Sequence, residues 1–355
     1  MNSFSRVAGG FLALVVVVAA LPALAGVQWA DATYEEIVKR AKSENKHVFI
    51  DFYATWCGPC KKLDEVTYKD DKVIGFLNAM IPARWDAEKG EGLELAKRYN
   101  ITAYPTLILL GPDGKEIDRY LGFVEPDGFI KVITDYQNGV GTVAYYEEQV
   151  RKDPKNAGAW KTLGMKHADA GRTEGAKIAF NTYLDLSPDV QGYEKAEVVY
   201  TLGEVNYRNK SYDDAIAIFA RVIREFPGTE WHDQALVMGA QAYYKKGDND
   251  KCIEWYSSYV NRHPDDPAAL NSFAWFCASK KVGMEKALPY AEKAAELSNR
   301  DPGILDTLAE LHYAMGNFDK AIEVGEEALK KNPEDTYLAD QLAKFKKGKS
   351  EGKGK

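Results

Sequence analysis

A small residue returns at a drifting interval through the second half of this chain: Ala176, Ala215, Cys252, Ala287 and Ala321, spaced by 39, 37, 35 and 34 residues. Proline follows twelve residues later at Pro188, Pro227, Pro264 and Pro333, and Asn299 takes the one missing place. Gly171, Gly247, Gly283 and Gly316 mark turns inside the units. Between these marks the apolar residues keep a helical spacing. A unit this short cannot bury its own apolar face, so neighbouring units must stack. Two helices approach closely only where a side chain is small, because a larger one forces them apart. Residues 157–340 are therefore expected to form an all-α solenoid of about five units. Residues 139–156 read as a linker or half-repeat cap. The end of the chain, 341–355, is basic and Gly-rich and reads as a disordered tail.

The preceding stretch, 26–138, carries a different pattern. Residues 31–46 have helical spacing and 48–54 form a strand-like run, while 57–78 read as one helix. A strand over 81–86 and a helix over 93–99 follow. Residues 106–110 and 116–121 read as antiparallel mates across the turn Gly111-Pro112-Asp113-Gly114, and 126–137 as a closing helix. The expectation is an α/β domain: a mixed sheet flanked by helices.

The first 25 residues differ from both. Arg6 supplies one positive charge, an apolar stretch follows, and Ala23-Leu24-Ala25 is an A-x-A cleavage signature. That is the layout of a secretory signal peptide. It directs the mature chain across the inner membrane into the periplasm. An uncleaved anchor is the rival reading, but the uninterrupted run 11–21 is short for a span of ~20 residues. Export would put the thiols where they can be oxidised. The net charge of −7 argues against nucleic acid as a partner.

Chemistry concentrates in FIDFYATWCGPCKK, residues 49–62. Cys57 and Cys60 form a Cys-x-x-Cys pair. A zinc ribbon needs a second such pair, and Cys252 and Cys277 lie 25 residues apart among the repeats. Haem attachment needs histidine after the second cysteine, where Lys61 stands. A redox dithiol fits. Cys57 ends a strand and opens a helix, whose free N–H groups and dipole stabilise a thiolate. Gly58 leaves the sulfur unshielded, and Pro59 suits the first helical turn. Lys61 and Lys62 add positive charge. Asp51, between Ile50 and Phe52, would be desolvated, which raises a carboxyl pKa and suits it to accept the Cys60 proton. Alternation could equally aim Asp51 at solvent or into a core hydrogen bond.

With the whole motif in view, 49–62 resembles the thioredoxin active-site segment, and Trp56-Cys57-Gly58-Pro59-Cys60 matches its core. The segment Ile101-Thr102-Ala103-Tyr104-Pro105-Thr106 resembles the family's cis-proline segment, which makes Pro105 the residue that positions substrate. Tyr104 is closer to the protein disulfide isomerase pattern, and Trp56, Gly58 and Pro59 support the site. Residues 84–99 resemble the C-terminal domain of the membrane electron carrier for periplasmic thiols. No lysine stands out as a partner for Asp51; Arg84 is the candidate. The resemblance implies a thiol–disulfide oxidoreductase: Cys57 the nucleophile, Cys60 the resolving thiol, Asp51 the proton acceptor, and the two cysteines a redox disulfide. It implies no cofactor and no metal. It does imply client proteins with disulfides and an upstream thiol protein as electron donor.

The repeats resemble tetratricopeptide repeats. Trp160, Leu163, Gly164, Ala176, Phe180 and Pro188 fall in the family's pattern in the first unit. Residues around 226–248 are similar to variant repeats of bacterial envelope proteins. Such arrays bind proteins or peptides. The rival function is a protein-binding adaptor with a vestigial thioredoxin domain. Cys252 and Cys277 are core residues that could also pair as a structural disulfide.

Overall fold

The computed structural model describes residues 26–189 and 192–352, so the expected signal peptide, 1–25, lies outside the described residues. The chain divides into two compact units at Val140/Gly141.

In the first unit, four strands form one mixed sheet in the order β2–β1–β3–β4. β1 (Val48–Tyr53) pairs in parallel with β2 (Ile81–Asp86) and antiparallel with β3 (Thr106–Leu110), which turns back to β4 (Glu116–Leu121). Helix α1 (Tyr34–Glu44) opens on a capping box in which Thr33 and Glu36 satisfy each other's backbone N–H groups. β1 is central and buried on both faces, so it reads as a continuous apolar run rather than an alternating one. Ile50 and Phe52 enter the core formed with α1 and α4 (Gly90–Arg98). Phe49 enters the core beneath α3 (Asp71–Asn78) and α5 (Pro126–Gln137).

The single helix expected over 57–78 is not continuous. α2 (Gly58–Glu65) stops, a 3-10 turn covers Thr67–Lys69, and α3 begins afresh. The break has a local cause: the Asp70 carboxylate accepts from the N–H groups of Lys72 and Val73, an N-cap that starts a new helix. The break lets Thr67 and Tyr68 turn inward and become buried.

The second unit is helical throughout. α6 (Val143–Lys152) precedes five helix pairs. These are α7 (Ala157–Asp169) with α8 (Thr173–Leu186), α9 (Gly192–Arg208) with α10 (Tyr212–Glu225), and α11 (Glu230–Lys246) with α12 (Asn249–Arg262). The last two are α13 (Pro267–Lys280) with α14 (Met284–Leu297), and α15 (Pro302–Ala314) with α16 (Phe318–Lys331). All five small residues that carry the period are fully buried. A second register lies beneath it. A Cβ added at Gly164, Gly203 or Gly239 would come within 2.5, 2.6 or 2.2 Å of Phe180, Phe219 or Trp255, each sixteen residues downstream. Glycine on one helix thus makes room for a ring on the next. In the second pair, where the turn glycine is missing, Lys210 adopts the left-handed conformation at φ 62°.

The last helix corrects the expectation of a disordered tail over 341–355. α17 (Thr336–Gly352) continues to the end of the described residues, with Leu338, Leu342 and Phe345 buried. Those positions fall on one helical face. The lysines that made the segment look solvated pair with acidic residues of α15 and α16: Lys344 with Glu310, Lys346 with Glu326 and Lys349 with Asp319.

Candidate active site at the start of helix α2

β1 delivers the chain to Cys57, which caps α2. Cys57 has extended backbone angles, and its Sγ accepts the N–H of Cys60 at 3.1 Å. Pro59 occupies the first helical turn, where a missing N–H costs no hydrogen bond. Cys57 and Cys60 are joined in a disulfide with an S–S length of 2.05 Å. Both are 3% exposed, so accessibility does not distinguish them. Position does: Cys57 is the N-cap and receives a helix N–H on its sulfur, while Cys60 lies inside the first turn. A Cβ at Gly58 would meet nothing within 4 Å, so no packing contact demands glycine there.

Around the sulfurs the structure gathers Ala54, Tyr53 and Tyr104. The Tyr104–Pro105 peptide bond is cis. Tyr104 meets the Trp56 ring edge to face at 5.8 Å. Trp56 is 66% exposed, yet its indole N–H donates to Glu88 at 2.9 Å, which fixes the ring's direction. Glu88 drew no notice in the sequence because its strand and turn context is ordinary.

Asp51 is 1% exposed, in the middle of β1. Its Oδ2 lies 3.3 Å from Nη2 of Arg84, its register partner on β2. Its Oδ1 and the buried Tyr68 hydroxyl make no well-formed hydrogen bond, yet the two groups interact, and the phenol favours the ionised carboxyl. Burial pushes the Asp51 carboxyl up to about 7; Arg84 opposes the shift and Asp64 adds to it. Such a group holds or releases a proton near neutrality. Arg84 also grips Asp64 on α2, with Nη1 at 2.9 Å from Oδ1 and Nη2 at 3.4 Å from Oδ2. Its guanidinium faces the rings of Tyr53 at 4.4 Å and Trp29 at 5.0 Å. Asp64 and Tyr68 were not singled out from the sequence. Asp64 had one available signal: it stands four residues after Cys60 on the same helix.

A family model for a thioredoxin-like domain matches residues 34–137, the stretch that holds both cysteines, Asp51, Arg84 and the cis-proline. Residues 34–137 are a thioredoxin-like domain. Relatives of this thioredoxin-like domain include protein disulfide isomerase-like 2-2 of Oryza sativa subsp. japonica, 36% identical over 92 residues, 26% of this chain and 24% of that protein. Another is the thiol:disulfide interchange protein DsbD of Campylobacter jejuni, 29% identical over 102 residues, 28% of this chain and 18% of that protein. The match thus spans a quarter or less of the length of these relatives. After the thioredoxin-like domain, a family model described as an outer membrane lipoprotein, YfiO, matches residues 193–347. A tetratricopeptide repeat protein from Parabacteroides merdae is 16% identical, with a TM-score of 0.43, covering 58% of this chain and 73% of its own. The helix pairs and their buried small-residue register make the second unit a tetratricopeptide-type solenoid.

Elsewhere, Cys252 and Cys277 are free and buried, so the disulfide considered between them is not formed. Burial pushes their thiols up to about 11 and about 12. Among the described residues no group of three His, Cys, Asp or Glu side chains is placed to hold a metal ion, and no helix is long and apolar enough to cross a membrane.

Proposed function

We propose that this chain is an exported thiol–disulfide oxidoreductase that reduces or exchanges disulfides in client proteins, with the repeats recruiting a protein partner. The observation that carries the reading is the Cys57–Cys60 disulfide at the start of α2, on a domain that also buries an aspartate able to hold a proton near pH 7.

In the reduced form the Cys57 thiolate attacks one sulfur of a client disulfide. A Cys57–client disulfide forms and the client's other sulfur leaves as a thiolate. Asp51 takes the proton of Cys60. The Cys60 thiolate then attacks Cys57 Sγ, the Cys57–Cys60 bond forms, and the second client sulfur is released and protonated. The client gains two electrons and the dithiol loses two. A dithiol protein upstream restores them. Tyr104, packed beside the sulfurs, and Pro105 after it hold the client chain extended.

Two experiments test this. Cys60→Ala expressed in cells should stall as a mixed disulfide at Cys57, from which client and donor can be identified. No adduct, together with no reduction of insulin by the wild-type protein, would leave the adaptor reading standing instead. Removing residues 142–355 should slow turnover of the native client while leaving insulin reduction intact; unchanged client turnover would sink recruitment by the repeats.

A further inference from the structure

The Arg84 guanidinium is shared, and unequally. It closes a two-pronged contact on Asp64 at 2.9 and 3.4 Å, while Asp51 receives one Nη2 contact at 3.3 Å. Nη2 serves both carboxylates. The buried Oδ1 of Asp51 makes no well-formed hydrogen bond, and neither does Arg84 Nε. The rings of Trp29 and Tyr53 flank the guanidinium and hold it between the two acids. Asp64 belongs to the helix that carries the cysteines, and its side chain is 45% exposed. The groups facing Asp51 are therefore one cation (Arg84 from β2), one competing anion (Asp64 from α2) and one phenol (Tyr68 from the 3-10 turn).

A cation fully committed to Asp51 would fix it as a permanent carboxylate, because an opposite charge at close range favours the ionised form. A permanent carboxylate is a poor acceptor for a thiol proton at neutral pH. Asp64 prevents that commitment. We propose that Asp64 is a positioning residue that draws Arg84 away from Asp51 and so keeps Asp51 able to exchange a proton during the resolving step. This rests on the reading of Asp51 as the Cys60 proton acceptor. It adds that the exposed acid on the active-site helix, not burial alone, sets the pH at which the acceptor works. Because Asp64 is half in solvent, its hold on Arg84 weakens as salt rises.

The test is a carbon-13 NMR titration of the Asp51 carboxyl in the oxidised full chain, which needs no turnover. Asp64→Asn should lower the midpoint by roughly half a pH unit or more, since the freed guanidinium then serves Asp51 alone. Asp64→Glu keeps the charge and should hold the midpoint near that of the wild type. Arg84→Gln should raise it. If Arg84→Gln does not fold, Asp64→Asn, which changes an exposed side chain, decides the matter. A midpoint in Asp64→Asn that is unmoved or raised overturns the proposal. An inactive wild type whose Asp51 still responds to Asp64→Asn would defeat the oxidoreductase reading and leave this coupling standing.

Discussion

The backbone N–H of Cys60 points at Cys57 Sγ from 3.1 Å, so the helical turn that carries Cys60 also places a donor on the sulfur of the proposed nucleophile. In the reduced protein that donor faces a thiolate. Iodoacetamide at pH 7 should label Cys57 about tenfold faster than a free cysteine, whose pKa is about 8.5. Cys57→Ser should abolish insulin reduction. Labelling of Cys57 at the free-cysteine rate would remove the helix terminus as its activator.

Asp51 gives a prediction about stability with a defined sign. The carboxyl ionises near 3.8 in an open chain and near 7 in the folded domain. Between those values the folded state keeps a proton that the unfolded state has lost, so stability falls as pH rises through the window and is lowest above it. Asp51→Asn should thus stabilise the first unit by on the order of 4 kcal/mol at pH 8 and by little below pH 4. It should also slow release from the mixed disulfide by roughly a hundredfold, the usual scale for a lost acid–base group. Urea melts across pH and single-turnover kinetics read the two effects separately.

The glycine-to-ring register of the repeats is sensitive to one methyl group. A Cβ at Gly239 would sit 2.2 Å from the Trp255 ring. Gly239→Ala should destabilise the helical unit by about 1–3 kcal/mol, the range for overpacked cores. Gly228→Ala, where a Cβ meets nothing within 4 Å, serves as the control. Equal denaturation midpoints for the two variants would refute the register.

Cys252 and Cys277 should be silent in the native protein. They are buried, and burial raises both thiols far above neutral pH. Alkylation of the oxidised native chain followed by mass measurement should find no modified thiol, and the same reaction in denaturant should find two. Loss of both reaction sites in denaturant would mean a bond between them.

The strand over 106–110 and the paired cysteines at the start of α2 were legible because their signals are local: apolar runs, a Gly-Pro-Asp-Gly turn, a Cys-x-x-Cys spacing. The break after Glu65 was not, because α2 and α3 share one apolar period and only the Asp70 cap separates them. The site's electrostatics were half legible. Arg84 could be named as a candidate, but its division between Asp51 and Asp64 depends on where β2 and α2 lie in space. Phe345 was missed for a related reason. Lysines on one side of a helix dominate its composition, while three residues on the other side decide its fate.

That final helix also limits how the array can grow. A solenoid whose last pair showed bare apolar surface would offer a template for another copy to stack end to end, and filaments would follow. Here Phe345 lies against Gly325, and Leu338 and Leu342 are buried beside it. The apolar face of the last pair is thus covered by α17, so that face presents no apolar template for end-to-end stacking.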